Sequence, residues 1–293
     1  MKIIRLFIPL FFSLLIGTAH GQGGVISATE FMKLYKANSN LRIVDAGRVK
    51  DYSAFHIRNS ISIPFNTLNK KGSVPGLVNT PQALAQIFGN KGLSNNSTII
   101  LYDGVSQKYS SRVYWILKYL GASHVYILHK DSTIWRKAQI PISSTLSHKL
   151  KSRFEAHVNS SIYATTQQVQ EAVKNHHSVI IDARSSERYL GKNEYSKGHI
   201  PGAININYAD LLTGSGAFKS KEAILNVLKS HGVSPNDHII LYCQTGIKAT
   251  VEFVALTAIL HWTNVKVYDG AYVQWAYDEL PISTKAVTKP KLN

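Results

Sequence analysis

The chain has 293 residues, 44% of them hydrophobic and 17% charged, with 33 basic and 17 acidic side chains and a formal net charge of +16. That composition is globular, and a mean hydropathy of −0.07 excludes a multi-span membrane protein. A single cysteine, Cys243, excludes an intrachain disulfide framework and any cysteine-rich zinc or iron–sulfur site.

At the start of the chain, Met1 to Arg5 is a short basic stretch and Leu6 to Gly17 an uncharged apolar run. Ala19-His20-Gly21 then puts small residues at the −3 and −1 positions of a cleavage site before Gln22. Residues 1–21 are expected to form a secretory signal peptide, since the apolar run is shorter than the roughly 17–25 residues a spanning helix needs. The mature chain is expected to be exported, to a periplasm in a bacterium, with no stable membrane span after cleavage.

The rest of the chain is one pattern written twice. Leu41 to Asp45 matches Val179 to Asp182. His56 to Phe65 matches His199 to Tyr208, and Thr98 to Asp103 matches His238 to Cys243. Trp135 and Trp275 correspond, as do Pro141 and Pro281, at the offset of 140 that also relates Tyr102 to Tyr242. A period this long means a duplicated domain rather than a solenoid repeat of roughly 20–50 residues. In each half, Ile43-Val44 or Val179–Ile181 reads as a short apolar strand ending at an aspartate. Ile99–Tyr102 and Ile239–Tyr242 read as buried strands, followed by helical segments at Tyr109–Leu120 and Ala249–Leu260 and strands at Val125–Leu128 and Val265–Tyr268. Strand, helix, strand predicts βαβ units, hence an α/β fold of two tandem domains, each a mostly parallel sheet flanked by helices. The divisions are residues 25–144 and 161–284, a polar linker over 145–160, and a basic tail over 285–293.

Cys243 lies directly after a buried strand and just before a helix beginning near Ala249. Backbone N–H groups converge on a group so placed, and the positive end of a helix faces it. Such a position is expected to lower the thiol pKa and to stabilise a thiolate or a negatively charged persulfide. Gln244, Thr245, Gly246 and Ile247 are the expected N–H cradle, with Gly246 free to take positive φ. The first half carries Asp103 at the equivalent place. Asp182 and His199 recur as Asp45 and His56 in the half that lacks the cysteine, so all four read as structural, with Asp182 held in an ion pair or loop brace.

The block Ile181-Asp182-Ala183-Arg184, Glu187 to Gly191, Gly198 to Asn205 and Tyr242-Cys243-Gln244-Thr245-Gly246-Ile247-Lys248-Ala249 resembles the rhodanese family, and the resemblance covers nearly all of the expected mature chain. It implies a tandem thiosulfate or 3-mercaptopyruvate sulfurtransferase whose first domain has lost the catalytic cysteine. It also implies that Cys243 carries a persulfide and that Arg188 contacts the anionic substrate, a task suited to a guanidinium fork. Lys248 closes the loop and either holds substrate charge or starts the helix as a surface lysine. Lysine keeps the charge of the arginine often found there in the thiosulfate branch, whereas Thr245 departs from that branch's animal-type lysine. Gln244-Thr245 also differs from the Gly-Ser pair of mercaptopyruvate enzymes, and the balance favours thiosulfate.

The expected partners are a small anionic sulfur donor and a thiol or cyanide acceptor. The resemblance implies no cofactor. The sequence offers no metal-ligand spacing, no phosphate-binding glycine loop and no nucleic-acid-binding motif. Two other readings stand beside the sulfurtransferase. One is a non-enzymatic sulfur carrier or binding module. The other is a phosphatase on the same fold, disfavoured because its loop is one residue longer, Cys-x5-Arg, where this chain has Ala249. Residues 22–150 carry 16 basic and 5 acidic side chains, against 15 and 12 in residues 151–293. The excess on the first domain would suit steering of anionic substrate, docking of an acidic protein or membrane surface, or simply a solvated basic face.

Overall fold

The computed structural model describes residues 24–287 apart from 39 and 105. The expected signal peptide and the end of the expected basic tail lie outside the described residues. Among the described residues, no helix is long and apolar enough to cross a membrane.

The described residues of the first half contribute strands β1 (Val25–Ile26), β2 (Leu41–Asp45), β3 (His56–Ile57), β4 (Ile61–Ser62), β5 (Thr98–Tyr102), β6 (Val125–Leu128) and β7 (Ile142–Ser143). Those of the second contribute β8 (Tyr163–Ala164), β9 (Val179–Asp182), β10 (Ile204–Asn205), β11 (Ile239–Tyr242) and β12 (Val265–Tyr268). Two five-stranded sheets result, ordered β1-β6-β5-β2-β4 and β8-β12-β11-β9-β10, with every pairing parallel. The two orders are the same position for position, as duplication requires. β3 and β7 add a short antiparallel ribbon. Even the helix starts repeat: Ser27 with Glu30 and Thr165 with Gln168 form capping boxes after the first strand of each sheet.

β5 and β11 hold the middle of their sheets, buried between neighbours on both sides, which is why their sequences are unbroken apolar runs rather than alternating ones. Each leads through a short loop into a helix, over residues 103–107 in the first repeat and 243–248 in the second. The helix Lys108–Tyr119 is buried at every position from Tyr109 to Leu117, and all six residues of Ala249–Val254 are buried. A helix buried all round belongs to a core, and these two pack against each other. The result is one hydrophobic core continuous through both sheets, containing Val113, Trp115 and Leu117 of one helix and Val251 and Val254 of the other. The helix expected over Ala249–Leu260 changes character part-way: Ala255–Ile259 is π-helical. There the Thr257 hydroxyl donates to the Phe253 carbonyl at 2.7 Å, in competition with the regular ladder.

The polar stretch expected as a linker is docked along the first domain. The Ser152 N–H donates to the Gly89 carbonyl at 2.9 Å, and those of His157 and Asn159 to Leu120 and Tyr119 at 3.0 and 2.7 Å. Phe154 is buried against Phe88. The two domains are therefore fixed to each other by a shared core and a strapped connection, and the Cys243 loop emerges where they meet.

Candidate active site

β11 delivers Cys243 to the carboxyl end of the second sheet, where it is 1% exposed. The Lys248 N–H donates to its Sγ at 3.2 Å. The N–H groups of Ala249, Thr245 and Lys248 all favour the charged sulfur. The cradle is thus made by the end of the loop and the helix start as much as by the Gln244–Ile247 stretch. Gly246 does adopt positive φ, at 77°. The outcome for the thiol itself differs from the sequence expectation. Burial pushes the Cys243 pKa up, past what those N–H groups recover, and the nearby Asp182 carboxyl adds to the rise. A thiol this enclosed pays for lost water before the loop can stabilise its charge.

The first repeat puts a different occupant at the equivalent position, on a loop whose positive-φ residue is Gln107, one position later than Gly246 by the offset of 140. Asp103 is 2% exposed at the end of β5. One of its carboxyl oxygens accepts the N–H groups of Tyr109 and Ser110 at 3.0 and 2.8 Å, and the other accepts that of Gln107 at 3.2 Å. The position that holds the sulfur in one repeat holds a side-chain carboxyl in the other, and in both it is met by backbone N–H donors.

Arg188 and Lys248 both flank the site. Arg188 is half-buried with its guanidinium 5.4 Å from the Tyr195 ring centroid, and the Lys248 ammonium lies 5.0 Å from that of Tyr208. Burial pulls the Lys248 pKa down. Cys243 raises it, while the positive charges of Arg188 and Lys108 lower it further. Gln244 is pinned rather than free: its side-chain oxygen accepts from Arg184 at 3.3 Å and its amide donates to the Tyr195 carbonyl at 3.4 Å. Ile247 turns its side chain into the core.

Asp182 and Arg184 form the brace expected of the aspartate. Both are fully buried, with Nη2 2.6 Å from Oδ2. Tyr242 donates to the same oxygen at 2.7 Å, and Arg184 also reaches Ser196 and the Gly198 carbonyl. In the first repeat Gly47 stands where Arg184 does, and Asp45 keeps only the Gly47 N–H and Tyr102 as hydrogen-bonding support. Burial pushes its pKa up to about 6. His199 and His56 each stack on a tyrosine, Tyr189 and Tyr52, and bond its carbonyl at 2.7 Å through Nδ1. The same arrangement at both places is structural.

Sequence reading missed the part played by the first domain. Arg112 is fully buried and reaches across the junction, with Nη2 2.6 Å from Oδ1 of Asp269 and 2.7 Å from the Gly76 carbonyl. Its Nη1 lies 3.2 Å from where a Cβ on Gly246 would stand, so the guanidinium forms the floor of the cysteine loop. Asp269 also accepts the Val78 N–H at 2.9 Å. Gly76, at φ 92°, presses so close that a Cβ there would sit 2.6 Å from the Thr245 carbonyl oxygen. No side chain larger than hydrogen fits that contact. The usable signal was the offset of 140: Arg112 falls at the repeat position of Glu252, and Lys108 at that of Lys248. Among the described residues, no group of three or more His, Cys, Asp or Glu is arranged to hold a metal ion.

Comparison with known proteins matches these observations. A rhodanese-like domain is found twice, over residues 27–138 and 165–278. The chain is 27% identical over 270 residues to a thiosulfate sulfurtransferase of Bos taurus, covering 86% of this chain and 90% of the relative. It is 31% identical over 199 residues to a 3-mercaptopyruvate sulfurtransferase of Mus musculus, covering 65% of this chain and 66% of the relative. The crystal structure of a 3-mercaptopyruvate sulfurtransferase from Escherichia coli superposes with a TM-score of 0.76 at 25% identity, over 85% of this chain and 99% of that one.

Proposed function

The chain belongs to the rhodanese-like family, with two copies of the domain, and from that premise we propose that it moves the sulfane sulfur of thiosulfate to a thiophilic acceptor through a persulfide on Cys243. That it is a sulfurtransferase follows from its homologues; the donor and the covalent intermediate are our reading. One observation carries it: the N–H cradle around Cys243 Sγ is the loop that, in the sister repeat, closes on the carboxyl of Asp103. A loop that holds a carboxyl suits a thiolate and, after reaction, a persulfide anion.

In the first half-reaction the Cys243 thiolate attacks the outer sulfur of thiosulfate. A sulfur–sulfur bond forms, the bond to the sulfonate sulfur breaks, and sulfite leaves with that electron pair, so that no proton has to be supplied to the leaving group. Arg188 and Lys248 would hold the sulfonate end while the N–H groups of Thr245, Lys248 and Ala249 hold the sulfur charge. In the second half-reaction a thiol or cyanide takes the terminal sulfur and the thiolate returns. Only the thiolate is competent, so the raised thiol pKa makes the cations at the mouth part of the reaction rather than an ornament of it.

The first half-reaction needs no resolving thiol, in keeping with the lone cysteine. Comparing kcat/KM for thiosulfate and 3-mercaptopyruvate, with cyanide as acceptor, tests the donor: a higher value for thiosulfate is expected, and a higher value for 3-mercaptopyruvate would replace the donor named here. Sulfur uptake without turnover would make the chain a carrier.

A further inference from the structure

The first domain contributes more than a floor to the cysteine loop. Arg112, whose Nη1 lies 3.2 Å from the Cβ position of Gly246, sits one helical turn after Lys108. Residues four apart share a helix face, about 6 Å apart along the axis. Lys108 therefore occupies the same face as Arg112, one turn nearer the helix start and on the side of the loop that ends at Lys248. The helix carrying it packs on the one that begins at Ala249.

Several observations agree with that placement. Lys108 is only partly buried, with its ammonium 5.0 Å from the Tyr109 ring centroid, and Tyr109 stacks on Phe65 at 4.0 Å. Lys248 likewise lies over an aromatic ring, that of Tyr208, the repeat counterpart of the Phe65 on which Tyr109 stacks. The positive charge of Lys108 is felt at Lys248, together with that of Arg188. Among the described residues the ion pairs are Arg112–Asp269, Arg184–Asp182, Arg153–Glu155 and His157–Glu155, so none of Lys108, Arg188 and Lys248 is neutralised by a carboxylate. Three mutually repelling cations without a carboxylate partner favour a ligand that carries more than one negative charge.

We propose that Lys108, a residue of the first repeat, is a third substrate-binding cation of the Cys243 site and sets a preference for doubly charged sulfur donors over singly charged ones. This rests on the sulfurtransferase reading and deepens it. The repeat that lost its own thiol keeps a lysine at the position equivalent to Lys248, and its own loop is already filled by Asp103. The cation is thereby free to serve the neighbouring site. Thiosulfate carries two negative charges at neutral pH and 3-mercaptopyruvate one, from its carboxylate, so the two donors read the charge of Lys108 differently.

The test is Lys108→Gln and Lys108→Arg in the full chain, assayed with both donors at low ionic strength. Coulomb energy scales with ligand charge, so a loss of about tenfold in thiosulfate KM corresponds to about threefold for 3-mercaptopyruvate. Lys108→Gln is expected to give that pattern with little change in kcat, and Lys108→Arg to restore most of it. Equal effects on the two donors, or no effect on either, would overturn the proposal. Calorimetric binding of sulfate, an unreactive dianion, gives an answer independent of turnover, with affinity expected to fall about tenfold in Lys108→Gln. Unchanged sulfate affinity overturns the assignment. If neither donor transfers sulfur to the wild-type protein but sulfate binding still depends on Lys108, the sulfurtransferase reading fails and the anion site stands.

Discussion

Replacing Arg112 with methionine removes the guanidinium under the cysteine loop while filling much of its stem volume. The wild-type group pairs with Asp269 at 2.6 Å, donates to Gly76 at 2.7 Å and lies 5.0 Å from the Trp115 ring centroid, all within a region closed to solvent. The variant leaves the Asp269 carboxylate buried, supported by the Val78 N–H alone. Removing one partner of a buried ion pair costs about 3–5 kcal/mol, against about 0–1 for an exposed pair. A second change, Asp269→Asn, keeps an acceptor for Val78 but removes the stranded charge, and should recover about half of the loss. The assay is urea denaturation of the two single variants and the double, read as a double-mutant cycle beside sulfur-transfer kinetics. Arg112→Met is expected to lower kcat more than it raises KM, because the guanidinium holds the loop rather than the donor. A stability loss below about 1 kcal/mol, or no coupling between positions 112 and 269, would refute the clamp.

Two pH effects follow from buried groups. Asp45, raised to about 6, binds a proton in the folded state that the unfolded chain has already released; stability should fall by about 3 kcal/mol as pH rises from about 4 through 6. Asp45→Asn should escape that fall, and urea melts showing the same variant-to-wild-type difference at both ends of the window would count against it. The raised Cys243 thiol should make single-turnover sulfur uptake climb about tenfold per pH unit through neutrality, with a decline only where Lys248 loses its lowered proton. A rate already level below about pH 7 would mean that the loop overcomes burial after all.

Much of this molecule was legible in its sequence because the signals are local or repeated. β11 and its loop are a run of apolar residues followed by a cysteine and a glycine, and Gly246 takes the positive φ its position calls for. The parallel strand–helix–strand units followed from finding the same pattern twice, whereas the order of the strands in each sheet did not. What was not legible depends on contacts between the halves. Arg112 and Asp269 meet only because two buried helices pack through a common core, and the sequence gives no register for that packing. Reading the first repeat as merely non-catalytic hid Lys108, although its spacing from Asp103 equals that of Lys248 from Cys243. The thiol pKa was misjudged for a related reason: the loop predicts donors, but the enclosure around Sγ comes from the whole core and from the first domain laid over Thr245. Glu252, fully buried and with neither oxygen hydrogen-bonded among the described residues, was equally invisible; burial pushes its pKa up, and it stands where the other repeat has Arg112.

The persulfide on Cys243 is tested most directly by the intact mass of the full chain after incubation with thiosulfate, taken together with the sulfite released. The expected result is a gain of one sulfur atom and the release of one sulfite per chain, both absent in Cys243→Ser, with cyanide then stripping the added sulfur as thiocyanate. No gain in the wild-type protein, or the same gain in Cys243→Ser, would contradict it.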